Sequence, residues 1–336
     1  DFRGVSTGNG YGGFQLRHAF MKMNWQSAEV MIGQNWQQWG MPYYIAEIGF
    51  NDESTYLKGL RMPQMALRYF FTKEFNAMIG IQSATEWSSG GARQLDDYSR
   101  SNWPGVMGEI AYWSDRCGKI GANNLKFGLG GYFGKEKKTT NYVATGIYTG
   151  AGAAAATNAV GYYDDTLNTW MTAFRYSIPI IPEKQGNKQF AMLLNGNFFY
   201  GQNWAGNNWM NLPANGPSVG SFFRNNGDAS APTGWGLFTQ LSFWFTDKLW
   251  MNLAYGYLKY NTSEWQRIVN PNGVNMNQTY SANLLWDANQ AIRFGLQWTH
   301  LATGYNRASS ASPDSNPVDD RFGTSDVYRF AAWYFF

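Results

Sequence analysis

The chain has 336 residues, of which 18% are aromatic, 44% are hydrophobic and only 15% are charged. Soluble domains carry about 25% charged residues, so a charged surface is not what keeps this protein dispersed. The formal net charge of +3 is too small to indicate nucleic acid as a partner, and we expect none. The single cysteine, Cys117, excludes an internal disulfide and leaves a thiolate metal site without a second ligand.

No uncharged apolar run approaches the roughly 20 residues of a membrane-spanning helix. The mean hydropathy is -0.42. A strand of a transmembrane barrel faces lipid only at every second residue, so its mean hydropathy stays ordinary although its pattern does not. Any crossing of a bilayer must therefore be made by strands. The N-terminus, Asp1-Phe2-Arg3, shows no initiator Met or apolar signal segment, so we expect it to be processed or incomplete.

Apolar and polar side chains alternate along most of the chain, with the period of two that is typical of strands. A clear example is 291–299, where every second residue from Ile292 to Trp298 is apolar and the residues between them are polar or small. The pattern predicts an all-β chain, a transmembrane antiparallel β-barrel in one domain over 1–336. We predict thirteen strands, at 14–24, 28–36, 60–71, 75–85, 104–114, 124–134, 166–178, 188–200, 233–245, 249–260, 275–286, 291–302 and 325–336.

The connections between these strands alternate in length. The short ones carry turn formers and lie at 72–74, 179–187, 246–248 and 287–290. The long ones are rich in Gly, Asn and Ser and lie at 86–103, 135–165, 201–232, 261–274 and 303–324. Tight turns on one side and long loops on the other are typical of outer-membrane barrels, in which the tight turns are periplasmic.

The C-terminal residues 328–336 alternate aromatic side chains and end at Phe336. This end resembles the terminal-strand signature of outer-membrane proteins; the alternative is a soluble sheet that happens to end in Phe. If Phe336 lies on the periplasmic side, the strand 14–24 also runs toward the periplasm and needs a partner before it. Bacterial barrels normally close with an even number of strands. We therefore expect further barrel strands before residue 1.

Two neighbouring segments carry a more specific resemblance. Residues 14–20 read Phe-Gln-Leu-Arg-His-Ala-Phe and residues 30–36 read Val-Met-Ile-Gly-Gln-Asn-Trp. They resemble the fourth and fifth strands of sixteen-stranded trimeric porins of Gram-negative bacteria, especially the DcaP-like group, although Asn35 stands where that group usually has Thr. The resemblance implies that about three strands precede residue 1 and complete a sixteen-stranded barrel. It also implies a homotrimer in the outer membrane, in contact with the lipid bilayer and lipopolysaccharide.

In such porins the loop after the fifth strand folds into the lumen and narrows it. The corresponding segment here is 37–59, and the resemblance implies that it forms the constriction. Its aromatic and acidic side chains suit a constriction against a basic wall; those we assign to it are Trp39, Tyr43, Tyr44, Asp52 and Glu53. The alternative is an ordinary surface loop that caps the barrel.

The lumen wall is expected on the strand face opposite the lipid-facing residues. By alternation the inward charged residues are Arg68, Lys126, Arg175, Arg293, Arg329 and the acid Glu109, and the resemblance adds Arg17. Polar residues assigned to the same face are Gln64, Gln82, Asn195, Asn197, Gln240, Asn283 and Gln297. An excess of arginine lowers the barrier to anions. The hypothesis is a porin for small hydrophilic solutes, anionic or neutral, with weak anion selectivity; the resemblance suggests small carboxylates.

Most Trp and Tyr residues near strand ends are interpreted as girdles at the two membrane interfaces. An alternative function is an oligosaccharide-selective porin, with a sugar slide built from Trp39, Tyr43, Tyr44 and Trp113. A competing class is a soluble all-β carbohydrate-binding protein, which would need no detergent. Both histidines, His18 and His300, lack a nucleophile with an orienting group, so we expect no enzyme activity and no cofactor.

Acidic pairs in the long loops offer oxygen ligands of the kind that calcium prefers. No recognised ligand spacing accompanies them, and solvated loop charge is the simpler interpretation. These weak calcium candidates are Asp96, Asp97, Asp164, Asp165, Asp319 and Asp320.

Overall fold

The computed structural model describes residues 18–46, 48, 56–57, 61–83, 103–143, 159–203, 210–211, 222–223, 229–261, 274–305 and 322–335. The strands it contains are β1 (Ala19–Asn24), β2 (Ala28–Trp36), β3 (Tyr56–Leu57), β4 (Arg61–Phe70), β5 (Phe75–Gln82), β6 (Gly105–Ile120), β7 (Asn123–Val143), β8 (Ala159–Ile181), β9 (Met192–Gln202), β10 (Met210–Asn211), β11 (Phe222–Phe223), β12 (Ala229–Ser230), β13 (Thr233–Trp244), β14 (Leu249–Tyr260), β15 (Val274–Asp287), β16 (Ile292–Tyr305) and β17 (Phe322–Tyr334).

One antiparallel sheet contains thirteen of these strands in the order β1-β2-β4-β5-β6-β7-β8-β9-β13-β14-β15-β16-β17. Each strand pairs with the next long strand of the chain, which confirms the predicted all-β antiparallel fold and its thirteen strands. Within the described ranges β1 and β17 are the edges of the sheet. No helix there is long and apolar enough to cross a membrane.

The largest departure from the predicted elements is the hairpin of β7 and β8. The sequence predicted a loop over 135–165, but the strands stay paired as far as Val143 and Ala159. Residues 139–143, Thr-Thr-Asn-Tyr-Val, contain β-branched and aromatic side chains, which favour strands. The prediction relied on the alternation of apolar and polar residues. It missed this part of the strand because the neighbouring residues are polar and the alternation is absent.

The two faces of the sheet differ sharply. One face is covered by large apolar side chains that remain exposed, among them Ile79, Ile110, Leu129, Leu296 and Phe330. The other face buries Gln64, Asn195, Gln240 and Gln297. A monomeric soluble protein rarely exposes so extended an apolar surface, so we call the first face the outer face and the second the inner face.

The inner face curves around one short stretch of chain. Residues 37–46 and 48, which we call the crossing segment, follow β2 and contact inner-face side chains from β5 to β16. A separate two-stranded ladder pairs β3 with β10, and β3 also lies against β9, β13 and β14. The sequence predicted 201–232 as one long connection, and β10, β11 and β12 are short strands within it.

Candidate functional site

The wall of the sheet holds the backbone of the crossing segment through amide side chains. Asn197 donates to the Gly40 carbonyl at 2.9 Å. The Ala46 N–H donates to Gln240 Oε1 at 3.0 Å, and the Ile48 N–H donates to Gln297 Oε1 at 2.8 Å. Buried backbone groups need hydrogen-bond partners. The inward amide side chains provide these hydrogen bonds to the crossing segment, as a neighbouring strand would in a sheet.

Trp39 anchors the first part of the segment. Its side chain is fully buried and lies parallel to the Tyr132 ring, with centroids 6.4 Å apart. The indole Nε1 donates to Gln82 Oε1 at 3.4 Å. Opposite it stands Gly130, where a Cβ atom would come within 3.2 Å of the Trp39 Cβ, so glycine leaves the room that this anchor needs.

The last part of the segment packs on a second apolar cluster at the short-turn end of the strands. Ala46 and Ile48 lie there with Leu193, Trp244 and Trp250, and Tyr44 packs against the same cluster. The segment is therefore fastened at both ends by apolar contacts and in between by hydrogen bonds.

The centre of the inner face holds a buried ionic cluster. Glu109 on β6 lies between two arginines: its Oε1 is 2.6 Å from Arg175 Nη2 and 3.3 Å from Arg68 Nη2. The side chain of Glu109 is completely buried, while those of Arg68 and Arg175 are 8% and 10% exposed. Arg68 also donates to Asn76.

Arg175 ties this cluster to the crossing segment. Its guanidinium donates to the carbonyls of Gln38 and Met41, at 3.1 and 3.2 Å. It also lies 4.2 Å from the centre of the Tyr43 ring, and the Lys126 ammonium lies 5.6 Å from the same ring. Cations over an aromatic face are attracted by its quadrupole. Arg68 and Arg175 thus flank one buried carboxylate, and Lys126 shares the Tyr43 ring with Arg175.

Two further inward ion pairs involve acids that the sequence analysis did not single out. Arg293 forms a bidentate pair with Asp287, with Nε to Oδ1 at 2.5 Å and Nη2 to Oδ2 at 3.1 Å. Lys22 pairs with Glu29 at 2.6 Å. Arg293 therefore contributes less net charge to the lumen than its prediction as a free inward cation implied.

The remaining predicted site residues lie on the inner face, in packed positions or outside the described residues. Arg329 lies opposite Gln297 in the register of β16 and β17, which places it on the inner face. Trp39 and Tyr44 are packed, and the Tyr43 hydroxyl accepts from Trp113 Nε1 at 3.3 Å, so the four aromatic residues do not form an open slide. Arg17, Asp52, Glu53, Asp96, Asp97, Asp319 and Asp320 lie outside the described residues.

The acidic pair at 164–165 is part of β8 rather than of a loop. Asp165 Oδ1 accepts from the Thr166 N–H at 2.7 Å. No group of three or more metal-binding side chains occurs within the parts of the chain that the structure describes, so calcium remains a prediction for the other acidic pairs.

Comparison with known proteins identifies the fold. No protein-family model and no curated protein sequence matches the chain. Among solved structures, the outer-membrane channel DcaP of Acinetobacter baumannii has a TM-score of 0.63 and 13% identity, covering 100% of this chain and 78% of DcaP. A porin has a TM-score of 0.45 and 12% identity, with coverages of 94% and 80%; OmpT of Vibrio cholerae has 0.44 and 10%, with 95% and 81%. The DcaP similarity confirms the predicted resemblance at the level of the fold.

Proposed function

We propose that the protein is a porin of a Gram-negative outer membrane, through which small hydrophilic solutes diffuse passively. The fold shared with DcaP supports this, as does an outer face of exposed apolar side chains over an inner face of amides and ions. Only barrels and helices satisfy every backbone amide inside hydrocarbon. The protein is a homotrimer in this proposal, as the DcaP-like resemblance suggests, surrounded by lipid and lipopolysaccharide and without enzyme activity.

We further propose weak selectivity for anions, with small carboxylates as the solute class. The observation that carries it is the pairing of Arg68 and Arg175 with the single carboxylate of Glu109, with Lys126 close by at the Tyr43 ring of the crossing segment. Two arginines and one carboxylate leave a local excess of one positive charge, and the Lys126 ammonium at the Tyr43 ring adds to the positive charge nearby. Positive charge at a narrow point lowers the electrostatic barrier for anions.

Reversal potentials in planar bilayers test this proposal. Under a gradient of potassium chloride the wild type should show a potential of the sign of anion preference, and Lys126→Glu should shift it toward cations. Lys248→Glu, in the turn after β13, is the matched control, because it makes the same charge change far from the ionic cluster. Cation preference in the wild type, or an equal shift in both variants, would contradict anion selectivity; no channel current at all would contradict the porin.

A further inference from the structure

The outer face of β15, β16 and β17 contains a groove, which we call the outer groove. Its walls come from two rows of register partners. The row nearer the short turns consists of Leu284, Leu296 and Phe330. The row above it consists of Ala282, Trp298 and Tyr328. The small side chain of Ala282 leaves room between its larger neighbours, and the groove has a volume of about 680 Å³. Pockets for small ligands have volumes of about 300–1,000 Å³, so the outer groove is large enough to hold one.

A polar row lies at the upper end of the outer groove. It consists of the register partners Tyr280, His300 and Asp326. The Asp326 carboxylate accepts from Trp298 Nε1 at 2.9 Å and lies 3.0 Å from His300 Nδ1. Both contacts involve Oδ1, and the Asp326 side chain is 48% exposed. Trp298 therefore joins the apolar wall of the groove to a carboxylate that a ligand can reach.

Asp326 stands at an unfavourable level for a carboxylate. It precedes the end of β17 by eight residues, which places it about 21 Å above the short turns for a rise of about 3.4 Å per residue and a tilt of about 40°. The apolar band of an outer-membrane barrel is about 25 Å tall, so Asp326 lies in its upper part. A charge at this depth needs a partner. Within the described ranges no Lys or Arg pairs with Asp326, and neither an indole nor a neutral imidazole cancels the charge of a carboxylate to which it donates.

We propose that the outer groove binds an alkylammonium, a single-chain amphiphile whose chain lies over Ala282 and whose cationic head pairs with Asp326. The inference rests on the proposed function only in assigning the outer face to the membrane. The carboxylate supplies a charge-assisted hydrogen bond to the ammonium, and the rings of Trp298 and Tyr328 offer aromatic surface of the kind that attracts cations. A phospholipid head carries a phosphate beside its ammonium. Because the carboxylate repels phosphate, a head with an ammonium alone fits this site better.

The outer groove and the lumen would then take opposite charges. On the inner face, Arg68 and Arg175 exceed the single carboxylate of Glu109, which opposes the passage of cations. On the outer face, Asp326 favours a cation, and the wall below it favours an apolar chain. The outer groove therefore binds a class of molecule that the lumen disfavours.

The test uses the full chain in nanodiscs of phosphatidylcholine. The probe is radiolabelled dodecylammonium, and dodecanol is the uncharged probe with the same chain length. Asp326→Asn removes the charge and keeps the shape, whereas Ala282→Leu fills the groove and keeps the charge. The matched controls are Asp115→Asn near the short-turn end of β6 and Ala77→Leu, whose register partner is the outward Ile110. Binding is corrected for empty nanodiscs, and the oligomeric state and channel currents are recorded for every variant.

We expect the wild type to bind dodecylammonium at one saturable site per chain. Asp326→Asn and Ala282→Leu should each lower the affinity by about tenfold, through loss of the charged hydrogen bond and of room for the chain. Both controls should bind like the wild type. Dodecanol should bind the wild type about tenfold more weakly than dodecylammonium does. Unchanged affinity in either variant, an equal loss in its control, or equal affinity of the wild type for both probes would overturn the proposal.

Two further outcomes concern the occupant and the channel. If a second copy of the chain covers the groove, the wild type will bind no probe and Asp326→Asn will change the oligomeric state, which also overturns the proposal. A wild type that conducts but binds no dodecylammonium contradicts only this inference. A wild type that binds dodecylammonium without conducting contradicts the porin.

Discussion

The two faces of the same strands obey different constraints. On β14, Leu253 on the outer face is exposed, whereas its neighbour Ala254 on the inner face is half-buried. The outer face needs only to be apolar, since lipid makes no specific contacts. The inner face has to satisfy the crossing segment and the buried charges, so the identity of each side chain matters there.

The inner face itself is divided. Toward both ends of the crossing segment it is apolar, around Trp39 and around Ile48, and between them it is ionic and amide-rich. The apolar parts fix the segment, and the ionic part is where solutes would meet charge. The inner side of the sheet therefore contains two packed apolar clusters with charged and amide side chains between them.

The largest expected effect comes from removing the carboxylate of the ionic cluster. Glu109→Gln leaves Arg68 and Arg175 close together without an anion, and breaking a buried ion pair costs about 3–5 kcal/mol. We expect the free energy of unfolding in lipid, measured by urea titration, to fall by about 3 kcal/mol. The folded fraction should also show stronger anion preference, because the local charge rises by one.

Glu29→Gln is the matched control for this change. Glu29 also pairs with one inward cation, but Lys22 is 45% exposed, and exposed pairs contribute about 0–1 kcal/mol. If both variants lost the same stability, the central ionic cluster would not be the special feature of the inner face.

A second prediction compares the faces directly. Leu253→Arg places a charge in the apolar band and should reduce the free energy of unfolding by about 2–4 kcal/mol. Ala254→Arg, one residue further along β14, places the same charge on the inner face and should cost much less. Equal losses in urea titrations of the two variants would contradict the assignment of lipid to one face and water to the other.

The sequence predicted the sheet well, and the reason is physical. Alternation reports which face a residue takes in any barrel, so the thirteen strands and the inward placement of Gln240 and Gln297 followed from it. Length was predicted poorly where both faces are polar, as in the upper part of the β7–β8 hairpin, because alternation disappears when no lipid faces the strand.

The candidate site was predictable only in part. Alternation predicts on which face of the sheet a charged side chain lies, but not the residue with which it pairs. The pairing of Arg293 with Asp287 could therefore not be predicted from the sequence. The same limit applies to the pairing of β3 with β10, which joins two loops distant in the chain. A two-residue ladder is too short to produce a periodic pattern in the sequence. Its position depends on the contacts with the surrounding sheet.

The smallest effect concerns the hydrogen bonds that hold the crossing segment. Gln297 accepts from the Ile48 N–H at 2.8 Å and from Asn283 Nδ2 at 3.2 Å. Asn283 Nδ2 also donates to the Ala46 carbonyl, so Gln297→Ala leaves only the buried Ile48 N–H without its acceptor, at a cost of about 1–3 kcal/mol. We expect the protein to remain folded but to give a larger and noisier single-channel current, because the end of the segment is freed at Ile48 while Trp39 still holds its beginning. Gln278→Ala on the outer face removes an amide that contacts Tyr255 and Tyr280 instead, and its current should match the wild type. A quiet, unchanged current in Gln297→Ala would mean that the apolar packing of Ile48 is sufficient to hold the segment and that the amide hydrogen bonds do not set its position.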